Sequence, residues 1–596
     1  MPVAFLNLPA EVQLIVLSRA HFRDVARCRC VCKHLLKVID SSPALKLIID
    51  LGASARRINP AYPGTSIQKL QELQEINIAW ANLHWKHRIH MEFPENVRFA
   101  KFSGGVVFCV LDDDPYDSDE ETKEGSFTKV VWIELPSRQN LRPDATNLLV
   151  FEHEIHDMAI ISACDLFIGI VLYCFKANGG YTIECQLHPI SITTAEKHPD
   201  AFKSVISSRF FTQLEIGFST IVHVCGNHVG VLLRRDLDHF CRRKTFDVFY
   251  LWDWTTGACK VHMNSFEVEE YWESFCFITL DSVLISSTFH GHLNLFRFSD
   301  NPDSLTHVYT FVLPEARRNP GLRHIDMCSE PSPSSPGQCT NLKERIEPPF
   351  PVDPDDAIVV VRLDYFSPPP GKEEAPDEDE AWTVRQSFAI PRRFFAQALH
   401  LPLPEPSPPP KCWSINDRFL NNPRSKRHPH CHSESWIHFS RWGIERAPPD
   451  FMLNCVCGSR FLGMTSVLEY RELPFSDITL YDFNLRNERR GVMMLEPNIR
   501  TSIEHVEKCN GTRLSQEIES EAQASRWPVR PSRIASDRKI VQNNILFNRR
   551  FITTLPYRLT QSEFTLDWDT AALDDERIIG IVMDDGVLKF MDILVM

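Results

Sequence analysis

The chain has 596 residues, 43% of them hydrophobic, and 64 Lys and Arg against 78 Asp and Glu give a net charge of −14. That length allows several domains. Two runs, Asp112–Glu121 with seven acids and Glu373–Glu380 with six acids beside Lys372, account for −12 of the charge, so the remainder lacks the broad basic face of a nucleic-acid binder. Eighteen cysteines are too few for a disulfide scaffold of this size. With no secretory signal before them, reduced thiols in the cytoplasm and/or nucleus are expected.

The first fifty residues read as a compact helical unit. Leu8-Pro9-Ala10-Glu11-Val12 opens a helix, since Pro is tolerated in a first turn. In that helix Val12, Leu14, Ile15, Val16 and Leu17 leave almost no polar face. Asp24 is placed to cap a second helix through Arg27, Cys28, Arg29 and Cys30. Val31-Cys32-Lys33 leads to a third, with Leu35, Leu36, Val38 and Ile39, and Ser42-Pro43 is read as its stop. A helix that is apolar all round must be buried on all sides. So small a unit cannot do that with its own atoms, so one apolar side awaits a partner.

Leu-Pro-x-Glu-Val, an apolar helix, Asp-Val-x-Arg-Cys and Val-Cys-Lys together resemble an F-box, the module that docks substrate receptors onto the small adaptor of cullin-type ubiquitin ligases. The resemblance covers roughly residues 5 to 50. It implies that Leu8, Pro9, Glu11, Val12, Ile15, Val31, Cys32 and Leu35 contact the adaptor. Two positions depart from the family: Ala20 replaces a larger apolar residue, and His34-Leu35 stands where an aromatic often follows Val-Cys-Lys.

Residues 51–94 read as a linker with one bracing helix. Thr65 and Gln68 have capping-box spacing, and Ile67, Leu70, Leu73, Ile76 and Trp80 recur every three to four residues. The apolar side is expected to pack on the next domain and hold the first at a fixed angle.

From residue 95 to 596 the pattern is strands. Val97–Phe102 alternates, Gly105–Leu111 is an apolar run, and Val130–Pro136 follows the first acidic loop. Met158–Phe175 is apolar enough to suggest a membrane span, but Asp165 near its centre argues for strand, turn, strand. Three units then share one plan. Asp165 opens Leu166–Phe175, Gly179-Gly180 turns the chain, and Tyr181–Leu187 alternates. Asn227 leads into Val229–Leu233, then Phe246–Trp254 and Thr256-Gly257. Asp281 opens Val283–Ile285, His290-Gly291 turns, and Leu293–Phe298 alternates. The openers lie 62 and 54 residues apart, close to a propeller blade of about 40 to 50 residues with loop insertions. Leu251-Trp252-Asp253 before Thr-Gly looks like the end of a blade's third strand in WD-type propellers, echoed weakly by Trp568-Asp569. The expected architecture is a degenerate β-propeller of six to eight blades; the alternatives are a β-sandwich or several small all-β domains.

Insertions are expected near 112–126, 326–356, 366–381, 401–432 and 486–545. Residues 329–352 are Ser/Pro-rich and poor ladder material. Leu401–Lys411 is proline-rich, and Leu514–Ala524 is a possible helix. The end of the chain, Arg577–Met583, Asp585-Gly586, Val587–Ile593, is a hairpin that can close a ring with strands near Val97.

No chemistry-bearing motif stands out. Cys28, Cys30 and Cys32 at spacing two point to different sides of a helix and make poor co-ligands. His428, His430, Cys431 and His432 with Cys455 and Cys457 match no standard zinc spacing, and a solvated His loop with buried strand thiols is the expected reading. His153-Glu154-Ile155-His156 is one residue short of the zinc-protease helix motif. The expectation is an α+β multidomain chain with a three-helix F-box, a linking helix and a large all-β domain. It would be the substrate receptor of a cullin ligase, with no catalytic residues, metal or cofactor. Its partners would be the adaptor, cullin and an unknown protein substrate, without nucleic acid or membrane. A non-ligase scaffold, or a propeller enzyme with a polar axial pocket of clustered carboxylates or histidines, are the alternatives.

Overall fold

A computed structural model describes residues 5–596 apart from 112–127, 143–145, 213–217, 236–246, 266–270, 289–290, 300–304, 315–320, 334–347, 368–381, 401–429, 432–435, 438–439, 445–454, 467–475, 485–528, 536–538, 542–550, 585–586 and residues 152, 178, 554, 556 and 567. The two acidic runs, Leu401–Lys411, the expected helix Leu514–Ala524, His428, His432 and the Asp585-Gly586 turn lie outside the described residues.

The chain begins with helices: α1 (Ala10–Ser18), α2 (Phe22–Arg29), α3 (Lys33–Ser41) and α4 (Pro43–Ala53). Leu17, Val25, Ile39, Leu45 and Ile49 form their common core. Two local signals act differently from expectation. The α2 cap is His21, whose ring accepts from the Arg23 amide, while Asp24 sits within the first turn and pairs with Arg27 at 2.9 Å. Ser42-Pro43 ends α3 but also opens α4: the Ser42 hydroxyl accepts from the Leu45 amide, and Pro43 takes the position where a missing N–H costs nothing. α5 (Ser66–Asn82) starts in the expected capping box of Thr65 and Gln68. β1 (His87–Glu92) follows.

Seven sheets follow one another along the chain. Blade 1 pairs β2 (Val97–Ser103), β3 (Val106–Leu111), β4 (Thr128–Glu134) and β5 (Thr146–Phe151). Blade 2 pairs β6 (Asp157–Ile161), β7 (Leu166–Ala177), β8 (Gly180–Ser191) and β9 (Ile206–Thr212). Blade 3 has β10 (Phe218–Cys225), β11 (His228–Arg235), β12 (Val248–Asp253) and β13 (Ala258–Asn264); blade 4 has β14 (Trp272–Thr279), β15 (Ser282–Ser287), β16 (His292–Arg297) and β17 (Thr306–Val312). Blade 5 comprises β18 (Gly321–Cys328), β19 (Ile358–Ser367), β20 (Trp382–Pro391), then α6 (Arg392–Ala398), and, after β21 (His430–Cys431) has left to pair in parallel with β17, β22 (Arg441–Ile444). Blade 6 runs β23 (Val456–Cys457), β24 (Arg460–Ser466), β25 (Ser476–Asp482), with β26 (Val529–Ala535) added outside β29 (Tyr557–Leu566); β27 (Lys539–Val541) and β28 (Phe551–Thr553) pair separately. Blade 7 is β30 (Thr570–Leu573), β31 (Arg577–Asp584), β32 (Val587–Val595) and the distant β1. The strand order makes a seven-bladed propeller with an F-box-like helical unit before it.

Each blade packs on both faces against its neighbours, so its middle strands are apolar runs rather than alternating ones. Leu232 and Phe249 of blade 3 meet Phe275 and Val283 of blade 4 in one such layer. Asp165 takes the left-handed conformation between β6 and β7, giving the strand, turn, strand expected there. Among the described residues no helix is long and apolar enough to cross a membrane. Trp252-Asp253 does end a third strand, and the Asp253 carboxylate accepts from the amides of Thr255 and Thr256 in the turn. Trp568-Asp569 instead precedes the first strand of blade 7.

Ring closure differs from expectation in one strand. The C-terminal hairpin pairs with His87–Glu92 rather than with strands near Val97. His-Arg-Ile-His-Met-Glu is two-thirds polar because it is outermost in its blade, and on sequence alone it reads as linker. Likewise β26 and β27 lie within the expected insertion 486–545, and β21 within 401–432. Of the insertion 326–356, β18 runs through Cys328, and Phe350 and Val352 are buried beside α5.

Candidate functional site

The helical unit presents apolar side chains outward. Gln13 and Leu17, four residues apart, face inward, while Val12, Ile15 and Val16 stand exposed, Ile15 at 63%. Val31 and Leu36 are exposed at the α2–α3 turn and on α3, as is Leu6 before α1. Gln13 is wholly buried. Its amide nitrogen donates to the carbonyls of Leu8 at 2.8 Å and Leu6 at 3.3 Å, and its oxygen lies 3.0 Å from His34 Nε2. That arrangement fixes the segment ahead of α1 against α3. Arg29 forks onto Asp40 at 2.6 and 3.1 Å and ties α2 to α3; the bond to Asp40 raises the arginine's pKa.

Of the residues implied by the family resemblance, Pro9, Glu11, Val12, Ile15 and Val31 are exposed, and Leu8 and Cys32 are half-buried. Leu35 differs: at 4% exposure it is an interior side chain, and its neighbour Leu36 is the one turned outward. Val16, Leu36 and Leu6 were missed by sequence reasoning. Which side of α1 is inside could be read only from Gln13, whose amide looks like a surface residue until its partners are known.

Residues 5–47 match the family model described as the F-box domain. The helical unit is an F-box. No curated protein matches the chain. Among solved structures, the WD40 domain of coronin from Toxoplasma gondii is similar at 8% identity and TM-score 0.33, over 86% of this chain and 87% of that one. The WD40 domain of SCAP from fission yeast is similar at 8% identity and TM-score 0.30, over 84% and 82%. Hsv2 from Kluyveromyces lactis gives 9% and 0.21, over 50% and 86%. Likenesses this distant carry no argument, and the propeller rests on the strand pairing itself.

The F-box is joined to the propeller by packing. Leu47 of α4 and Leu73, Ile76 and Trp80 of α5 share a core with Leu480, Trp568, Leu573 and Leu594. The Arg460 guanidinium lies 4.4 Å over the Trp80 ring, and burial lowers its pKa to about 10. Arg56 donates to the carbonyls of Phe350 at 2.5 Å and Asp575 at 3.1 Å, and the Arg57 amide donates to Pro351 at 2.8 Å. The bracing role expected of α5 is therefore extended by a strap of residues 348–356.

A channel of roughly 2400 Å³ runs along the propeller axis, lined by the first strand of each blade. At its F-box end lie residues 57–63 and Asp574–Arg577. Inside, Lys101 pairs with Asp157 at 2.5 Å, and burial pushes that carboxyl up. His223 faces the same space, where its surroundings lower its pKa to about 3. Residues 330–333 enter the channel wall, anchored by the buried Arg392, which donates to Ser329, Pro331 and Pro354. The far mouth carries ion pairs, Arg98–Glu154 at 2.7 Å, Arg234–Glu273 at 3.0 Å and Arg362–Asp326 at 2.6 Å.

The metal candidates among the described residues are not brought together. β21, with His430 and Cys431, lies on the edge of blade 4, while Cys455 and Cys457 belong to blade 6. Cys455 packs with Cys328, and Cys457 in a different core. Glu154 of His153-Glu154-Ile155-His156 is held by Arg98. Among the described residues no three His, Cys, Asp or Glu side chains converge as a metal site.

Proposed function

We propose that this chain is the substrate receptor of a cullin-type ubiquitin ligase. The F-box docks the small adaptor, and through it cullin, by Leu8, Pro9, Glu11, Val12, Ile15, Val31 and Cys32, joined by Val16 and Leu36. The observation that carries the reading is the reversed polarity of α1, with Gln13 buried and Val12, Ile15 and Val16 outside. Exposed side chains of that size, each worth about 1.5–3 kcal/mol on full burial, call for a protein surface. The propeller then holds a protein substrate, and the rigid α5 joint sets its distance from the conjugating enzyme. Such a receptor has no active centre and accelerates transfer by proximity. It would act in the cytoplasm or nucleus, where adaptor and cullin are found.

The test is affinity purification of the intact chain beside the double variant Leu8→Ala/Ile15→Ala. Adaptor and cullin recovered with the intact chain alone support the reading. Adaptor without cullin points to a scaffold outside ubiquitin transfer, and adaptor with neither form removes the proposal. The polar channel with Lys101, Asp157 and His223 is what favours the enzyme reading, but Asp157 is tied up by Lys101 and by the Met158 amide at 2.7 Å.

A further inference from the structure

The outermost strand of a blade exposes unpaired backbone donors and acceptors, and natural sheets protect such edges with charge, proline, shortness or a covering segment. This chain does so in six blades. β1 carries Arg88 and Glu92, β9 Arg209, and β13 Lys260. β22 is only four residues long. β17 is covered by β21, and β29 by β26, which itself carries Arg530, Pro531 and Arg533. Blade 1 is the exception among the described residues. β5 reads Thr-Asn-Leu-Leu-Val-Phe, with no charge and no proline, and it ends its sheet.

Its two faces differ in the expected period of two. Leu149 and Phe151 are buried toward blade 2, whereas Leu148 is 54% and Val150 57% exposed. We propose that β5 pairs edge to edge with β5 of a second copy of this chain, making a two-fold dimer through one continuous sheet. Three observations select that occupant. The two other edges that are covered here are covered by strands, not by helices. The strand is uncharged, so no like charges meet at the two-fold axis. Antiparallel pairing centred on Leu149 sets Leu148 opposite Val150 of the partner twice over, covering both exposed side chains with a cross-strand apolar pair. An unprotected edge also needs cover whenever the protein is present, and a second copy is always present with it.

The connection between β4 and β5 reaches α5 through Arg138, whose guanidinium lies 3.5 Å from Glu75. A β5 dimer leaves the apolar face of α1 unused.

The experiment is sedimentation velocity on the full chain across a hundredfold concentration range, beside Val150→Lys and the milder Leu148→Thr. Both positions are surface ones, and matching melting curves check that the variants fold. The expected result is a concentration-dependent dimer whose dissociation constant rises at least tenfold in Val150→Lys. Amides in 146–151 should exchange more slowly in the dimer than in the variant. A chain that stays monomeric throughout, or a dimer unaffected by Val150→Lys, overturns the proposal. Either outcome leaves the adaptor reading untouched, since that rests on a different surface.

Discussion

The buried Gln13 reaches the exposed His34, Oε1 to Nε2 at 3.0 Å, and through them α1 is tied to α3. The same glutamine holds the Leu8 carbonyl. Leucine at this position fits a similar volume but makes none of these bonds. Gln13→Leu should destabilise the F-box by about 1 kcal/mol, because the Leu8 and Leu6 carbonyls lose their donor while the exposed His34 nitrogen can turn to water. Faster amide exchange confined to residues 5–41 would report it. An unchanged exchange map would mean the polar tie contributes nothing.

Two leucine-class substitutions separate docking from folding. Ile15 is exposed and touches solvent, so Ile15→Glu should change stability by no more than about 0.5 kcal/mol yet abolish adaptor capture. Leu35 is interior, so Leu35→Ala should cost about 2–5 kcal/mol and lose capture only as the F-box unfolds. Thermal melts and adaptor pull-downs on the same preparations decide between these outcomes. Loss of stability in Ile15→Glu would place that side chain inside.

Much of this was legible in the sequence where one residue type meets one demand. The Thr65–Gln68 capping box, the Asp165 turn and the Trp252-Asp253 strand end each follow from local chemistry. The apolar runs of β7, β11 and β15 were readable because each is covered on two faces. Legibility failed where a strand is outermost. β1 is largely polar because one side meets water, and β26 carries a proline and two arginines, so they resemble linker and insertion. It failed again within the F-box, where Leu35 and Leu36 are chemically alike and only packing decides which turns inward. The channel was not legible at all, since Lys101, Asp157 and His223 come from three blades.

Closure of the ring concentrates on one carboxylate. Asp592 accepts from the Trp568 indole at 3.0 Å and from Arg88 at 2.6 Å, and lies 3.2 Å from His90, so it joins the N-terminal strand to the C-terminal blade. Its pKa is lowered by the hydrogen bonds from Trp568, Arg88 and His90, which outweigh burial. A depressed carboxyl contributes stability above its unfolded value near 4, lost as pH falls through the folded value. Asp592→Ala should lower stability by about 1–3 kcal/mol at neutral pH, with the difference from the parent shrinking below about pH 4. Urea titrations at pH 7 and pH 3.5 test the sign.

Asp247 shows the opposite linkage. Its carboxyl joins blades 3 and 4, accepting from the Trp272 amide at 2.9 Å and the Arg235 amide at 3.4 Å. Burial nonetheless pushes its pKa up to about 7. With the folded value above the unfolded one, the folded state keeps a proton that the unfolded state releases. Stability from this group is therefore fully present below about pH 4 and declines toward pH 7, by at most about 1.4 kcal/mol per pH unit. Asn cannot ionise and carries one acceptor oxygen where two amides donate, so Asp247→Asn should be less stable than the parent at pH 5. The gap should narrow by pH 8, where the parent has lost its bound proton. A gap that stays constant between pH 5 and pH 8 would show Asp247 to be ionised in the fold throughout, held by the amides more strongly than burial opposes it.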